Sequence, residues 1–105
     1  MIKFDFELDY FDEVENDIEV AKLWYYKQSP DTDLEERFAN AIKETIFKLQ
    51  KNPFIYYPLF ENIRIAHPKF FPYCIHFTIN EDKNQIIIAA ILQNKQDNSK
   101  VINRF

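Results

Sequence analysis

The fold of this chain is decided by one alternating stretch, FFPYCIHFTI, at residues 70–79. After the proline, apolar and polar side chains alternate strictly, and a period of two predicts a β-strand with one face in a core. The row predicted to face the core consists of Phe71, Tyr73, Ile75, Phe77 and Ile79. The opposite row consists of Cys74, His76 and Thr78. We interpret this polar row first as the exposed or partner-covered side of a sheet, and only second as a catalytic surface.

Two segments that precede this strand have apolar residues at helical spacing. The first predicted helix covers 9–28, with Asp9 in position to cap it and acidic residues crowding its first turns. The second covers 33–51, and Pro53 ends it because the residue before a proline is pushed out of helical angles. Together they predict a helical hairpin.

Strands are predicted on both sides of the hairpin, at 2–8, 63–67, 71–79 and 86–92. Asparagine and aspartate at 80–84 predict a turn between the last two strands, in place of the missing glycine. The fold class is therefore α+β: a strand, a helical hairpin, and then a three-stranded antiparallel sheet. We expect one domain over 1–105, in which 94–105 forms a loosely held polar tail.

Composition excludes several classes of site. The chain contains no glycine, which excludes the glycine-rich loops that let a backbone approach a phosphate group closely. Its single cysteine, Cys74, provides neither a disulfide framework nor a cysteine cluster for zinc. We therefore expect no metal and no cofactor. The acidic N-terminus does not resemble a signal peptide and no apolar run is long enough to span a membrane, so the expected location is the cytoplasm.

Charge is distributed unevenly along the chain. The net charge is −4, and residues 1–19 contain eight acidic residues and one lysine, for a local charge of −7. An acidic protein is a poor general ligand for nucleic acid, because phosphate contacts require clustered lysine and arginine. We expect no direct DNA binding.

A series of short segments resembles the RelE/ParE family of bacterial toxins, and more closely its ParE branch. The similarity covers about Val20 to Asp97 and depends on the order and spacing of the segments. They are Ala21 and Tyr25-Tyr26, Arg37-Phe38 with Ala41-Ile42 and Ile46, Leu49-Gln50-Lys51-Asn52-Pro53 with Tyr56, Arg64, Phe71-Pro72-Tyr73, and Ile86-Ile87-Ile88-Ala89-Ala90-Ile91.

This resemblance implies a small toxin that is neutralised by a cognate antitoxin. ParE-like members are thought to inhibit DNA gyrase without an established catalytic set, whereas RelE-like members cleave messenger RNA on the ribosome. Many relatives carry a histidine and then arginine after the last strand, where this chain has Gln93, Lys95 and Gln96. Lysine lacks the planar fork of arginine that pairs two phosphate oxygens. The ParE-like function is therefore favoured; the alternatives are a RelE-like ribonuclease and a decayed member that binds antitoxin without toxicity.

Candidate site residues follow from these hypotheses. If the protein is a ribonuclease, Arg64 and His76 are the catalytic candidates, because RNA cleavage requires an acid, a base and cations near the phosphate. Arg64 is expected on the polar face of its strand, beside His76. If the protein acts by binding, we expect the antitoxin in a groove lined by the helices and the sheet edge. The partner-binding candidates are Trp24, Tyr57, Phe60, Lys95 and Arg104. Without antitoxin, exposed apolar residues predict a homodimer.

Overall fold

A computed structural model describes residues 5–94 and 99–105 of the chain. The elements follow in the order β1 (Glu7–Tyr10), α1 (Glu13–Gln28), α2 (Leu34–Lys51), a 3₁₀ turn (Pro53–Ile55), β2 (Pro58–Phe60), β3 (Ile63–Ala66), β4 (Tyr73–Asn80), β5 (Gln85–Gln93) and α3 (Ser99–Ile102). The α+β class and the helical hairpin predicted from sequence are confirmed.

The described strands form one mixed sheet in the order β1-β5-β4-β3-β2. Strands β2 to β5 pair antiparallel, as predicted, but β1 lies parallel to β5, with Glu7 opposite Gln85 and Tyr10 opposite Ile88. The predicted three-stranded sheet is thus too small. A parallel neighbour requires a long connection, and here the helical hairpin and strands β2 to β4 all lie between β1 and β5 in the chain. Strand β2 escaped prediction because its three residues begin with Pro58 and show no alternation.

The first strand and the first helix begin later than the sequence pattern predicted. The strand occupies Glu7–Tyr10 instead of 2–8, and residues 2–4 lie outside the described residues. Asp9 belongs to the strand, so the predicted cap at Asp9 is wrong and Asp12 is the N-cap. Phe11 extends the pairing, because its backbone N–H donates a hydrogen bond to the carbonyl oxygen of Ile88. The helix therefore begins where pairing with β5 ends, and the alternation of residues 2–8 did not predict that position.

The main core lies between the helical hairpin and one face of the sheet. Helix α2 contributes Phe38, which is fully buried and packs edge-on against Tyr73 and Phe71, at ring centroid distances of 4.9 and 5.3 Å. Tyr25 of α1 joins the same aromatic cluster, 5.4 Å from Phe38. Large rings packed in this way dominate the burial energy of a small domain. The core-facing row of β4 is confirmed by its buried members, Tyr73, Ile75 and Phe77.

The second face of the sheet is covered by the chain itself, whereas the expectation was a polar row that is exposed or covered by a partner. His76 and Thr78 are buried, and Cys74 is half-buried. This face carries its own apolar cluster, formed by Ile63, Ala90, Leu92 and Val101. Val101 belongs to α3, so α3 packs on the sheet although it falls within the predicted loose tail over 94–105. The physical reason is that the C-terminal segment supplies an apolar side chain that no periodic pattern revealed. Residues 95–98 of that tail lie outside the described residues.

We predict that truncating Phe38 strongly destabilises the protein. Because Phe38 is fully buried, Phe38→Ala leaves a cavity and should reduce the free energy of unfolding by about 3–5 kcal/mol. Phe47→Ala is the matched control on the same helix, since Phe47 is 57% exposed. The control should change stability by about 0.5 kcal/mol or less. Urea denaturation measures both, and equal effects would contradict this description of the core.

Candidate partner-binding groove

The candidate site begins where the edge strand β1 stops and β5 continues. Backbone pairing between them ends with Phe11, whose N–H donates to the carbonyl oxygen of Ile88 at 2.9 Å. Beyond that point, β5 has no strand beside it on this side among the residues that the structure describes. The carbonyl of Ala89 and the N–H of Ile91 are met by side chains instead.

Asp17 of α1 and Arg104, just after α3, supply those side chains. Oδ2 of Asp17 accepts a hydrogen bond from the N–H of Ile91 at 3.0 Å, and Nη1 of Arg104 donates to the Ala89 carbonyl at 3.1 Å. The two side chains also form a bidentate ion pair, with Nη1–Oδ2 at 2.6 Å and Nη2–Oδ1 at 2.8 Å. Together they continue the hydrogen bonding of the sheet edge after β1 ends.

The ion pair is almost completely removed from water, with side-chain exposures of 15% for Arg104 and 6% for Asp17. Taking two charges out of water is costly, and the cost is offset only by good geometry and further hydrogen bonds. Both conditions hold here. The hydrogen bond to Asp17 raises the pKa of Arg104 above its ordinary value. The guanidinium therefore stays charged.

His76 lies close to this pair and is 4% exposed. Its Nδ1 has no hydrogen-bond partner among the described residues. Burial lowers the pKa of His76 below its ordinary value, and the positive charge of Arg104 lowers it further. Hydrogen bonds to the backbone and the negative charge of Asp17 raise this pKa, but burial has the largest effect. His76 is therefore a neutral interior residue at neutral pH, and solvent does not reach it as it would reach a general base.

A groove of about 320 Å³ opens beside the ion pair, between α1, the end of β5 and the C-terminal segment. Val20 and Trp24 of α1 line it and are 60% and 49% exposed. Gln93, Lys100 and Arg104 line the opposite side. The groove thus combines exposed apolar surface from a helix with cationic and polar groups.

The structure brings together two of the predicted partner-binding residues. Trp24 and Arg104 both line the groove, although most of the charge of Arg104 is already paired with Asp17. Tyr57 is 85% exposed but precedes β2, at the far edge of the sheet. Phe60 packs against the second-face cluster that contains Val101, and it does not line the groove. Lys95 lies outside the described residues.

Arg64 and His76, the residues proposed for ribonuclease chemistry, lie on opposite faces of the sheet. Arg64 pairs with Phe77, which points into the main core, whereas His76 pairs with Ile65 on the other face. The expectation that Arg64 and His76 share the polar face is therefore wrong. The guanidinium of Arg64 donates to the carbonyl of Tyr56 at 2.6 Å. The two side chains cannot act on one phosphate group in this arrangement.

Asp17 is the residue that the sequence analysis missed. It lies three residues after Val14 and four before Ala21, so a carboxylate occupies the buried stripe of α1. A charged residue in such a stripe is almost never fully buried unless it is paired. The spacing of Asp17 from Val14 and Ala21 could therefore have indicated a buried, paired carboxylate. The neighbouring acidic residues instead suggested that Asp17 lies on a solvent-exposed helix face.

Cys74 shows no sign of activation. Its thiol donates to Oδ1 of Asn94 at 2.9 Å, and Nδ1 of His67 lies 3.7 Å from the sulfur. Burial raises the pKa of the Cys74 thiol, whereas a nucleophilic cysteine needs a lowered pKa. Within residues 5–94 and 99–105, no group of three or more His, Cys, Asp or Glu residues is placed to hold a metal ion. Among those residues there is also no helix with the length and hydropathy needed to cross a membrane.

A family profile described as "ParE toxin of type II toxin-antitoxin system, parDE" matches residues 8–98. The match covers most of the chain, and the protein belongs to this ParE toxin family. No curated protein matches the sequence significantly.

Among solved structures, the chain is similar to one from "Chromosomal ParDE TA system from P. aeruginosa". The TM-score is 0.69 at 14% sequence identity, and the alignment covers 84% of this chain and 95% of the other. At this identity the likeness shows that the fold is shared. The resemblance to the ParE branch drawn from the sequence is confirmed.

We predict that breaking the buried ion pair destabilises the whole domain. Arg104→Met leaves the Asp17 carboxylate buried without its cation, and this should reduce the free energy of unfolding by about 3–5 kcal/mol. Arg37→Met is the control, because the Arg37–Asp33 pair is exposed on both sides and should contribute about 1 kcal/mol or less. Urea denaturation is the measurement. A small effect at Arg104 would mean that the C-terminal segment is not anchored as described.

A second prediction concerns acid stability. The folded-state pKa of His76 lies below its ordinary value of 6.5, so the unfolded chain binds more protons at this position. The stability that neutral, buried His76 contributes to the free energy of unfolding is therefore fully present above pH 6.5. It is lost as the pH falls below that value. His76→Gln should flatten the decline of the unfolding free energy as the pH falls below 6.5. His67→Gln, which changes an exposed histidine, is the control; identical pH profiles for the parent protein and His76→Gln would refute the prediction.

Proposed function

We propose that this ParE family member is a toxin that acts by binding proteins in the cytoplasm. Its groove, lined by α1, β5 and the C-terminal segment, receives a segment of the cognate antitoxin, and its cellular target is DNA gyrase. The observation that carries the proposal is the exposed Trp24 and Val20 beside the cationic rim of a preformed groove. Tryptophan is enriched at the residues that dominate binding energy in protein interfaces.

The charge distribution supports a partner with both apolar and acidic side chains. Trp24 and Val20 offer apolar surface, and Lys100 lines the same groove. Arg104 contributes less to attraction because Asp17 neutralises it. An amphipathic segment that places apolar residues on α1 and an acid toward Lys100 satisfies these requirements, and a helix laid in a groove is a common mode of such recognition.

The same groove does not support ribonuclease chemistry. Arg64 and His76 lie on opposite faces of the sheet, and the buried His76 does not line the groove. The net charge of −4 also disfavours contacts with RNA or DNA phosphates. Gyrase would therefore be reached through protein contacts.

Self-association without antitoxin is part of the proposal. Exposed large apolar side chains occur on several elements, among them Val20, Leu23 and Trp24 on α1 and Phe47 on α2. Apolar patches of this kind tend to find each other when no partner covers them. We propose that the isolated chain forms a homodimer.

The test of antitoxin binding uses Trp24 and a matched neighbour. Trp24→Ala should weaken binding to the product of the adjacent gene by about 30-fold or more, the loss typical of a central interface tryptophan. Tyr26→Ala is the control, because Tyr26 is 48% exposed on the same helix but does not line the groove. Isothermal titration calorimetry measures both. If both variants lose the same affinity, or if neither loses any, the antitoxin binds outside this groove.

The mode of action is tested separately. Induced expression should arrest growth, co-expression of the adjacent gene should relieve the arrest, and the purified toxin should inhibit supercoiling of relaxed plasmid by gyrase. Primer extension on messenger RNA after induction should show no cleavage between codons. Strong cleavage would establish the ribonuclease alternative, and growth without any arrest would establish a decayed member that binds antitoxin only.

A further inference from the structure

Phe70 stands out from the other exposed apolar residues because two unfavourable features meet there. Its side chain is 96% exposed, and its backbone has φ of 68°. A positive φ brings Cβ of an ordinary residue too close to the following carbonyl oxygen, which is why glycine or asparagine usually occupies such positions. A bulky aromatic residue there is strained, and nothing within the described chain covers its ring.

The bend at Phe70 sends two neighbouring rings in opposite directions. Phe71 enters the core, where its ring packs edge-on against Phe38 and Tyr25. Phe70 points outward to solvent. Glycine or asparagine would make the same bend without displaying an apolar ring. The bend therefore explains the backbone conformation but gives no reason for a phenylalanine.

A groove of about 400 Å³ lies directly beside the exposed ring. Helix α2 forms one wall with Leu34, Asn40 and Ala41, and Phe70 and Phe71 form the other wall. Arg37, Glu44 and Lys69 also line the groove, so its rim carries two basic side chains and one acidic side chain. Arg37 is already paired with Asp33, and Glu44 lies 3.4 Å from Lys48. An apolar knob and an apolar groove thus occur next to each other on a single surface.

We propose that this surface binds a second copy of the chain, with Phe70 of each protomer inserted into the groove of its partner. A two-fold interface requires a patch that is complementary to itself. The adjacent knob and groove meet that requirement, and the rim carries both signs of charge, so Lys69 of one protomer can pair with an acidic side chain such as Glu44 of the other. A partner of a single charge would meet repulsion from one of these two side chains. This inference deepens the self-association proposed above by assigning it a surface.

The predicted dimer is weak and reversible. A phenylalanine ring buries about 150–250 Å², so two rings with their surroundings fall short of the roughly 1,200 Å² that stable interfaces bury. The dimer should therefore form only at high protein concentration. The surface is also separate from the Trp24 groove, since the two share no lining residue.

The first experiment removes the knob. Phe70→Asn keeps a residue that tolerates positive φ, so the fold should be retained and its thermal midpoint should rise slightly as strain is relieved. In sedimentation velocity over a concentration series, the parent chain should approach the dimer and Phe70→Asn should stay monomeric. Tyr57→Asn, at an 85% exposed aromatic residue away from the groove, should dimerise like the parent chain.

The second experiment tests complementarity. Asn40→Trp fills the groove from an exposed helix position and should also be monomeric alone. Mixing Asn40→Trp with Phe70→Asn restores part of one of the two contacts, because the Asn40→Trp chain keeps its knob and the Phe70→Asn chain keeps the α2 wall of its groove together with Phe71. The mixture should associate, more weakly than the parent chain. A monomeric mixture, or a Phe70→Asn variant that dimerises like the parent, overturns the assigned surface while self-association itself stands. A parent chain that stays monomeric throughout overturns both, and leaves antitoxin binding at Trp24 to its own test.

Discussion

The ion pair between Asp17 and Arg104 is the interaction on which the arrangement of this domain depends. The two residues are 87 positions apart in the chain, and both also bind the backbone of β5. They meet at the point where β1 ends and the edge of β5 loses its strand neighbour among the described residues. A sheet edge inside a small protein needs hydrogen-bond partners, and here two charged side chains provide them. The desolvation cost of the pair is offset because each charge makes several hydrogen bonds.

Anchoring Arg104 has consequences on both sides of β5. On one side, it holds the C-terminal segment so that Val101 packs on the second face of the sheet. That face is then no longer solvated, and His76 becomes a buried neutral residue. On the other side, Asp17 and Arg104 form part of the wall of the Trp24 groove. The stability of the C-terminus and the shape of the candidate binding site therefore depend on one interaction.

The absence of glycine has a separate cost, which falls on the turns. Positive φ occurs at Glu61, Phe70 and Asn84. Asn84 ends the turn between β4 and β5, where the sequence predicted asparagine in place of glycine, and asparagine tolerates this conformation well. Glu61 and Phe70 tolerate it less well. Strained turns of this kind often lie at functional surfaces. At Phe70 the strained backbone directs an apolar ring into solvent.

The sequence by itself determined the α+β class, both helices, strands β3 to β5 and the inward row of β4, because these depend on local periodicity and on proline stops. It also carried enough ordered segments to reveal the ParE resemblance. Only the tertiary structure decided the parallel pairing of β1, the covered second face and the separation of Arg64 from His76. Each of these results from contacts between distant segments. Periodicity records which side of a strand is apolar, but it does not record which distant segment will cover the other side.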